Sequence, residues 1–175
     1  MANNRLRIVS GELGGQYIEA PKNSSTHPMG ERERMAIFNR LRVEIPNAVV
    51  LDAFAGSGAI GIEALSIGAS HVDFMENNPK AVACIKENLV KLKCNDKASI
   101  LRAPSGKYDI IIADPPYDNP QYDIVSALLA HLKPNGYFVL SHPENPEPPK
   151  FEQLELLSDK KYAAAHIKIY SKTQK

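Results

Sequence analysis

From Asn47 onward, short apolar runs alternate with amphipathic stretches along the chain. This alternation is typical of a parallel sheet whose strands are joined by crossover helices. The runs that we predict as strands are AVVLDAF, HVDFME, ASILR, YDIIIAD and GYFVLS, followed by a closing antiparallel pair, FEQLELL and AAAHIKIYS. Because AVVLDAF shows no polar alternation, we expect this first strand to be buried on both faces. The pattern therefore predicts an α/β fold with a mostly parallel seven-stranded sheet and helices on both faces.

Helices are predicted between these strands. One begins at Ser57, a suitable N-cap residue, and continues to Ile67, where Gly68 stops it. Another runs from about Asn78 to Lys93, and one of its faces carries the apolar residues Val82, Ile85, Leu89 and Leu92. That spacing predicts a face that packs against the sheet.

The last third of the chain contains one more helix and one loop. The helix YDIVSALLAHLK is expected to end at Lys133-Pro134-Asn135-Gly136, because these residues supply a cation, a helix breaker and a turn in that order. The proline-rich segment HPENPEPPK suits neither a strand nor a helix, and we predict an exposed loop there.

The N-terminal segment differs from the rest of the chain. RLRIVSGELGGQYIEAP alternates polar and apolar residues around Gly14-Gly15, which predicts a β-hairpin. GERERMAIFNRLR predicts a helix with Met35, Phe38 and Leu41 on its core side and most of its arginines elsewhere, namely Arg32, Arg34, Arg40 and Arg42. We expect a single domain over residues 1–175, with an extension at 1–46 and a Rossmann-like core at 47–175.

Composition narrows this picture only slightly. The chain of 175 residues is long enough for one complete core, and its net charge of +1 does not discriminate between partners. Cys84 and Cys94 lack the spacing of a zinc site or a disulfide framework, which favours a reducing compartment. The sequence contains no apolar run near the roughly 20 residues of a membrane span and no signal-peptide pattern. We therefore expect a cytoplasmic protein with no membrane contact and no metal.

The first candidate site is the glycine-rich turn after the first predicted strand. Gly56-Ser57-Gly58-Ala59-Ile60-Gly61 matches the dinucleotide pattern Gly-x-Gly-x-x-Gly, so an NAD-binding oxidoreductase is one alternative. Asp52 argues against it, because a carboxylate there would repel a pyrophosphate but would accept a hydrogen bond from an ammonium group, directly or through water. Glu76, at the end of the second strand, is placed for the ribose hydroxyls of either cofactor.

The second candidate site is Asp114-Pro115-Pro116-Tyr117, at the end of another buried strand. Two prolines remove two backbone donors and hold the chain extended, so that carbonyl oxygens lie beside a carboxylate and an aromatic ring. This group suits a planar base that carries an exocyclic amine. Because open sheets bind ligands at the carboxyl edge, both turns are expected to face one crevice.

These motifs resemble those of class I S-adenosylmethionine-dependent methyltransferases that act on amino groups. The stretches RIVSGELGGQYIEAP, HPMGERERMAIFNRL, VLDAFAGSGAIGIEAL, DIIIADPPY and YAAAHIKIY are similar, nearly end to end, to the RsmD-like family of 16S ribosomal RNA guanine-N2 methyltransferases. The hairpin and the arginine-containing helix are the specific part of this resemblance. It implies a Rossmann-like class I fold, S-adenosylmethionine as cofactor and 16S ribosomal RNA as partner. The near-neutral charge favours RNA in a small-subunit particle over bare RNA, and the lack of an exposed apolar stripe favours a monomer.

The resemblance also implies roles for individual residues. The cofactor-binding set is Asp52, Ala55, Gly56, Ser57, Gly58, Glu76, Asn77 and Ala103. The catalytic set, which would hold the flipped-out guanine, is Asp114, Pro115, Pro116 and Tyr117. The RNA-binding set is Arg5, Arg7, Arg32 and Arg34, of which the last two match the family's Asp-Arg-x-Arg segment with Glu31 in place of the aspartate.

The chain departs from the family's pattern in three places. Around Pro28, the family's Arg-x-Thr-Thr is replaced by His27, Met29 and Gly30. Ala103-Pro104 stands where the family usually has an aspartate that binds the adenine amino group, so backbone and apolar contacts are expected to hold adenine here. The proline-rich loop is the third departure.

Two other classes of function stay open on the sequence. One is an amino-methyltransferase that acts on DNA adenine or on a protein glutamine amide, although the latter usually has Asn before the prolines. The other is a non-catalytic RNA-associated assembly factor, for which the missing aspartate is the main argument. The intact Asp114 to Tyr117 group argues against the second class.

Overall fold

The computed structural model of the protein describes residues 4–21, 28–163 and 165–173. Its strands are β1 (Arg5–Arg7), β2 (Tyr17–Glu19), β3 (Val49–Ala53), β4 (His71–Met75), β5 (Ala98–Leu101), β6 (Tyr108–Ala113), β7 (Leu132–His142), β8 (Leu154–Lys161) and β9 (His166–Lys172). Its α-helices are α1 (Glu31–Arg40), α2 (Ala59–Ile67), α3 (Pro79–Lys91) and α4 (Tyr122–Leu128), and 3-10 turns cover Asn95–Lys97 and Leu129–His131.

The last seven strands form one sheet in the order β5-β4-β3-β6-β7-β9-β8, while β1 and β2 form a separate antiparallel hairpin. Strands β5, β4, β3, β6 and β7 pair in parallel, and β9 lies antiparallel between β7 and β8. One apolar core joins the hairpin, α1, α2 and α3 to one face of the sheet, and a second joins α4 to the other. The predicted mostly parallel seven-stranded sheet with helices on both faces is confirmed.

Local sequence explains where α2 and α3 begin. Asn78 caps α3, because its side-chain oxygen accepts the amides of Lys80 and Ala81, and Pro79 occupies the first turn without losing a hydrogen bond. The predicted N-cap of α2 at Ser57 is wrong. The cap is Gly58, whose φ of 79° is left-handed and therefore suits glycine best.

The predicted end of the helix before β7 is also wrong. The α-helix stops at Leu128, and Lys133-Pro134-Asn135-Gly136 lies at the start of β7 instead of closing the helix. Asn135 takes a left-handed φ of 60°, and the pairing of β7 with β6 shifts register in this region. Nζ of Lys133 lies 3.0 Å from Oδ1 of Asp109 in the neighbouring strand β6. This ion pair favours the strand over a further helical turn at Lys133.

The core side of α1 differs from the prediction at two positions. Met35 leaves 45% of its surface exposed, whereas Arg34 is fully buried together with Ile37 and Phe38. The buried face therefore follows the spacing 34, 37, 38 and 41, with an arginine at a position that a simple hydrophobic pattern assigns to an apolar residue.

Arg34 is buried because its guanidinium joins three separate segments of the chain. Nε lies 3.3 Å from the Glu63 carboxylate in α2, while Nη1 and Nη2 donate to the carbonyls of Met29 and Arg7, each at 2.6 Å. Glu63 also accepts the amides of Val9 and Ser10. This network of charge-assisted hydrogen bonds anchors the N-terminal hairpin and α1 to the sheet through α2.

We expect Arg34→Gln to lower the free energy of unfolding by about 3–5 kcal/mol, because it leaves the buried Glu63 carboxylate without its cation. Urea denaturation measures this change. Arg42→Gln is the matched control, since Arg42 is an exposed arginine just after α1 and its loss should change stability by less than about 0.5 kcal/mol. Equal stability of the two variants would contradict the anchoring role.

Candidate active site

The register of the parallel strands places four chain segments side by side at one edge of the sheet. Ala53 pairs with Met75 in β4 and with Ala113 in β6, and Ala113 pairs with Leu140 in β7. The residues that directly follow these four positions are Phe54, Glu76, Asp114 and Ser141. Ligands of open α/β sheets bind at this carboxyl edge, so the register builds the site.

A cleft of about 1230 Å³ opens at this edge. All four residues of the predicted catalytic set line it, namely Asp114, Pro115, Pro116 and Tyr117. Most of the predicted cofactor-binding set lines it as well, namely Ala55, Gly56, Ser57, Glu76, Asn77 and Ala103. Asp52 and Gly58 are buried and do not line it. The two motifs that the sequence analysis placed in one crevice are therefore brought together there.

The glycines of the turn have three different reasons to be glycine. Gly56 has a left-handed φ of 56°, and a Cβ there would meet no atom closer than 4.0 Å, so its backbone is open to the cleft. Gly58 supplies the left-handed cap of α2. A Cβ at Gly61 would lie 2.7 Å from Cζ of Phe74 and 2.9 Å from Cγ1 of Val72, so glycine lets α2 approach the sheet closely.

The Glu76 carboxylate holds the backbone around this turn. Oε2 accepts the amide of Gly56, and Oε1 accepts the amides of Asn77 and Asn78, each at 2.8 Å. Since a carboxylate offers about four acceptor positions, Oε2 keeps one for a further donor. Glu76 thus fixes the glycine turn and still has capacity for one ribose hydroxyl.

Asp52 lies under the turn and is fully buried. Its Oδ2 accepts the Gly61 amide at 2.8 Å, while Oδ1 has no hydrogen-bond partner among the residues that the structure describes. Burial raises the pKa of Asp52 well above its usual value, and the nearby carboxylates of Asp114 and Glu76 raise it further. The side chain anchors the first turn of α2, and its contact with a ligand stays a prediction.

Asp114 is an acidic residue of the cleft wall whose hydrogen bonds come from side-chain hydroxyls. Burial raises the pKa of Asp114 to about 6, although hydrogen bonds from the hydroxyls of Ser141 and Tyr117 act in the opposite direction. Tyr117 is anchored in turn, because its hydroxyl lies 2.5 Å from Oγ of Ser141. Burial and the Asp114 carboxylate together raise the pKa of Tyr117, which therefore remains a neutral phenol near pH 7.

The charges at this edge suit a cationic ligand. Asp52, Glu76 and Asp114 lie close enough together for the last two to raise the pKa of the first. Glu76 and Asp114 both line the cleft, and their carboxylates oppose a pyrophosphate and favour a cationic ligand. This charge and the open backbone at Gly56 suit a cationic ligand better than a nicotinamide dinucleotide.

The end of β5 forms another part of the cleft wall. Arg102, Ala103 and Pro104 all line the cleft, and they present no carboxylate where the family usually has an aspartate. The wall at this point offers a small apolar side chain, a proline ring and backbone groups.

The four predicted RNA-binding arginines have different environments. Arg5 and Arg32 are exposed, with Arg5 paired to Glu19 at 3.0 Å, and Arg7 is exposed in β1. Arg34 differs from the other three, because it is fully buried in the wall of the cleft and its guanidinium contacts Glu63 and two carbonyls, so its contact with RNA stays a prediction. Of the altered residues near Pro28, Met29 is buried and Gly30 caps α1, while His27 lies outside the described residues.

Sequence reasoning missed Phe54, Lys80, Arg102 and His131, which line the cleft, and Ser141, whose hydroxyl contacts Tyr117. Phe54, Arg102 and Ser141 each lie at or next to the carboxyl end of a strand that was predicted, so the edge rule that found Asp114 would have found them too. His131 was expected to be a surface or packing residue. Its place in the wall depends on the early end of α4, which the sequence pattern did not show.

Within residues 4–21, 28–163 and 165–173, no cluster of three or more His, Cys, Asp or Glu side chains is arranged to hold a metal ion. No helix over the same ranges is both long and apolar enough to cross a membrane.

Comparison with known proteins places this architecture in a family. Residues 6–171 match the family described as "Conserved hypothetical protein 95". The putative rRNA methyltransferase YlbH of Bacillus subtilis is 29% identical over 182 residues, covering 95% of this chain and 99% of the relative. The ribosomal RNA small subunit methyltransferase D of Escherichia coli is 30% identical over 142 residues, covering 77% of this chain and 70% of the relative.

Solved structures share the fold. A putative methyltransferase from Escherichia coli superposes with a TM-score of 0.86 at 24% identity, covering 98% of this chain and 99% of that one. A putative methylase from Haemophilus influenzae gives a TM-score of 0.81 at 26% identity, covering 97% and 99%. With the matched family and the cleft described above, these likenesses identify the chain as an RsmD-like class I methyltransferase that belongs to the "Conserved hypothetical protein 95" family.

Proposed function

We propose that the protein transfers a methyl group from S-adenosylmethionine to the exocyclic N2 amine of a guanine in 16S ribosomal RNA. The observation that carries this proposal is the convergence of the glycine turn and Asp114-Pro115-Pro116-Tyr117 in one cleft. Relatives named as small-subunit ribosomal RNA methyltransferases, which align over most of their length, support ribosomal RNA as the substrate.

The cofactor would lie along the glycine turn. When bound, S-adenosylmethionine supplies a methyl group on a sulfonium, which is already a strong electrophile. The backbone at Ala55, Gly56 and Ser57 would hold its methionine portion, and Oε2 of Glu76 would accept a ribose hydroxyl. Ala103 and Pro104 would contact adenine through apolar and backbone groups.

The Asp114 to Tyr117 segment would hold the flipped-out guanine. The exocyclic amine is a weak nucleophile because its lone pair is delocalised into the ring. Hydrogen bonds to Asp114 and the Pro115 carbonyl would align the amine and favour a more pyramidal nitrogen, and Tyr117 would stack on the base. Asp114 would take the proton late in the reaction, in a pocket from which water is excluded.

The substrate form is also part of the proposal. The net charge of +1 and the burial of Arg34 leave little positive charge for binding bare RNA. We therefore favour a protein-bearing small-subunit particle in the cytoplasm as the substrate, with the enzyme acting as a monomer. The Asp at position 114 disfavours a protein glutamine amide, for which Asn is usual before the prolines.

The first test is transfer of labelled methyl from S-adenosylmethionine to small ribosomal subunits isolated from cells that lack this protein. Label in N2-methylguanosine, identified by nucleoside analysis of the RNA, is the expected result. Label in another nucleoside or in protein would assign a different amine substrate. Cofactor binding without any transfer would overturn the proposed substrate, and no cofactor binding would favour the non-catalytic alternative.

Asp114→Ala should lower kcat by about 10²–10⁴-fold, because the amine loses its aligning acceptor and its proton acceptor. The dissociation constant for S-adenosylmethionine, measured by calorimetry, should stay within about threefold of that of the unaltered protein. Asp123→Ala serves as the control, since Asp123 is an exposed aspartate in the first turn of α4. Unchanged turnover in Asp114→Ala would eliminate Asp114 from the mechanism.

Activity should depend on pH through Asp114. Its pKa is raised to about 6, so the carboxylate form that the proposal needs is half populated near pH 6 and depleted below it. The value of kcat/KM should therefore rise with pH and level off above about 6 to 7. Ser141→Ala removes a hydroxyl that lowers the pKa of Asp114, so its profile should move to higher pH. A flat profile between pH 5 and 8 would contradict this assignment.

A further inference from the structure

A second, smaller groove lies between the exposed face of α1 and the turn that joins β8 to β9. Its volume is about 430 Å³, and its walls include Arg32 and Met35 from α1 and Lys160, Lys161 and Tyr162 from the end of β8 and the turn. None of these β8 and turn residues belongs to the cleft described above.

Strand register places this groove beside the cleft. Ser141, whose hydroxyl contacts Tyr117, pairs with Ile167, and Ile167 pairs with Lys160 on its other side. Two strand spacings separate Ser141 from Lys160, which is about 10 Å. Directly paired residues project from the same face of a sheet, and Ile167 packs in the core that also contains α1 residues. The face of the sheet that carries Lys160 is therefore the one that α1 covers.

Helix α1 contributes one residue to the groove and another that lies near the cleft. Arg32 and Glu33 are neighbours in its first turn, and the Glu33 carboxylate is close enough to Tyr117 to contribute to the raised pKa of that phenol. Arg32 lies on the groove side, where its guanidinium carbon is 5.9 Å from the centroid of the Tyr162 ring. Arg32 of the groove is thus next in the chain to Glu33, whose carboxylate lies near Tyr117 of the cleft.

The charges of the groove are incompletely neutralised. Lys161 pairs with Glu144 at 2.6 Å, whereas Arg32 and Lys160 form no ion pair with any residue in the described ranges. Both are exposed. The surface of the groove therefore combines two available cations with an aromatic ring and the exposed Met35, which is the composition that single-stranded nucleic acid binds.

We propose that this groove binds the RNA strand next to the target guanine, with phosphates at Arg32 and Lys160 and an unstacked base near Tyr162 and Met35. This inference rests on the proposed function and extends it to the flanking nucleotides. A base that enters the acidic cleft must leave its phosphates outside it, and the nearby basic groove provides the complementary charge. The groove positions substrate and takes no part in the chemical step.

The test compares Arg32→Gln/Lys160→Gln with Arg42→Gln/Lys97→Gln. The second pair removes the same charge from exposed positions at the opposite, amino edge of the sheet, after α1 and before β5. We expect the groove variant to raise KM for small subunits by about tenfold, with kcat and the dissociation constant for S-adenosylmethionine unchanged. Its affinity for deproteinised 16S ribosomal RNA should fall less steeply with salt, by roughly 1.4 in the log–log slope for two lost contacts with single-stranded RNA.

Each other result overturns the inference in a recognisable way. If the unaltered protein methylates subunits and both double variants have the same KM and the same salt slope, the groove proposal is wrong and the proposed function stands. If KM rises for subunits while binding of deproteinised RNA is unaffected, the groove contacts a ribosomal protein instead. If the unaltered protein transfers no methyl to RNA, both proposals fail together. Matching urea midpoints for the two variants verify that both are folded.

Discussion

In the centre of the sheet, Ala53 pairs with Met75 on one side and Ala113 on the other, and Ala113 pairs with Leu140. Because parallel strands end at the same edge, this single row decides which residues meet. The residues that follow these four positions are Phe54, Glu76, Asp114 and Ser141. The first three line the cleft, and the hydroxyl of the fourth contacts Tyr117, which also lines it. A slip of one residue in any strand would turn its side chains to the other face and disperse the site.

The acidic residues at this edge have different tasks, although they lie close together. The carboxylate oxygens of Asp52 and Glu76 accept backbone amides, so these two residues stabilise the glycine turn itself. The amides belong to Gly61, Gly56, Asn77 and Asn78. Asp114 receives hydroxyl rather than backbone donors, and its pKa of about 6 leaves it able to change protonation near neutral pH. Two carboxylates of the site therefore stabilise the backbone, whereas the third can gain or lose a proton near neutral pH.

The N-terminal extension is attached to this core by a buried ion pair. Glu63 of α2 and Arg34 of α1 bind each other and the backbone of the residues around the hairpin. Burying two charges is costly unless their remaining hydrogen-bonding groups are also satisfied, which these contacts achieve. As a result α1 stands beside the cleft, and its exposed Arg32 faces the groove next to Tyr162. The acidic cleft and the basic groove therefore lie next to each other, at the edge of the sheet and beside the helix that covers it.

The seven strands, their mostly parallel arrangement and the two turns that line the cleft were predictable from local sequence. Hydrophobic periodicity, glycine turns and prolines act over a few neighbouring residues, so no distant partner is needed to recognise them. Tertiary structure decided what depends on distant partners. It buried Arg34 and exposed Met35, because Glu63 lies 29 positions away in the chain yet contacts the guanidinium. It also brought Ser141 to Tyr117 and Lys160 to Arg32 across strands and turns that no local pattern relates. Local energetics selects the elements, whereas pairing and packing between remote segments select which polar groups they share.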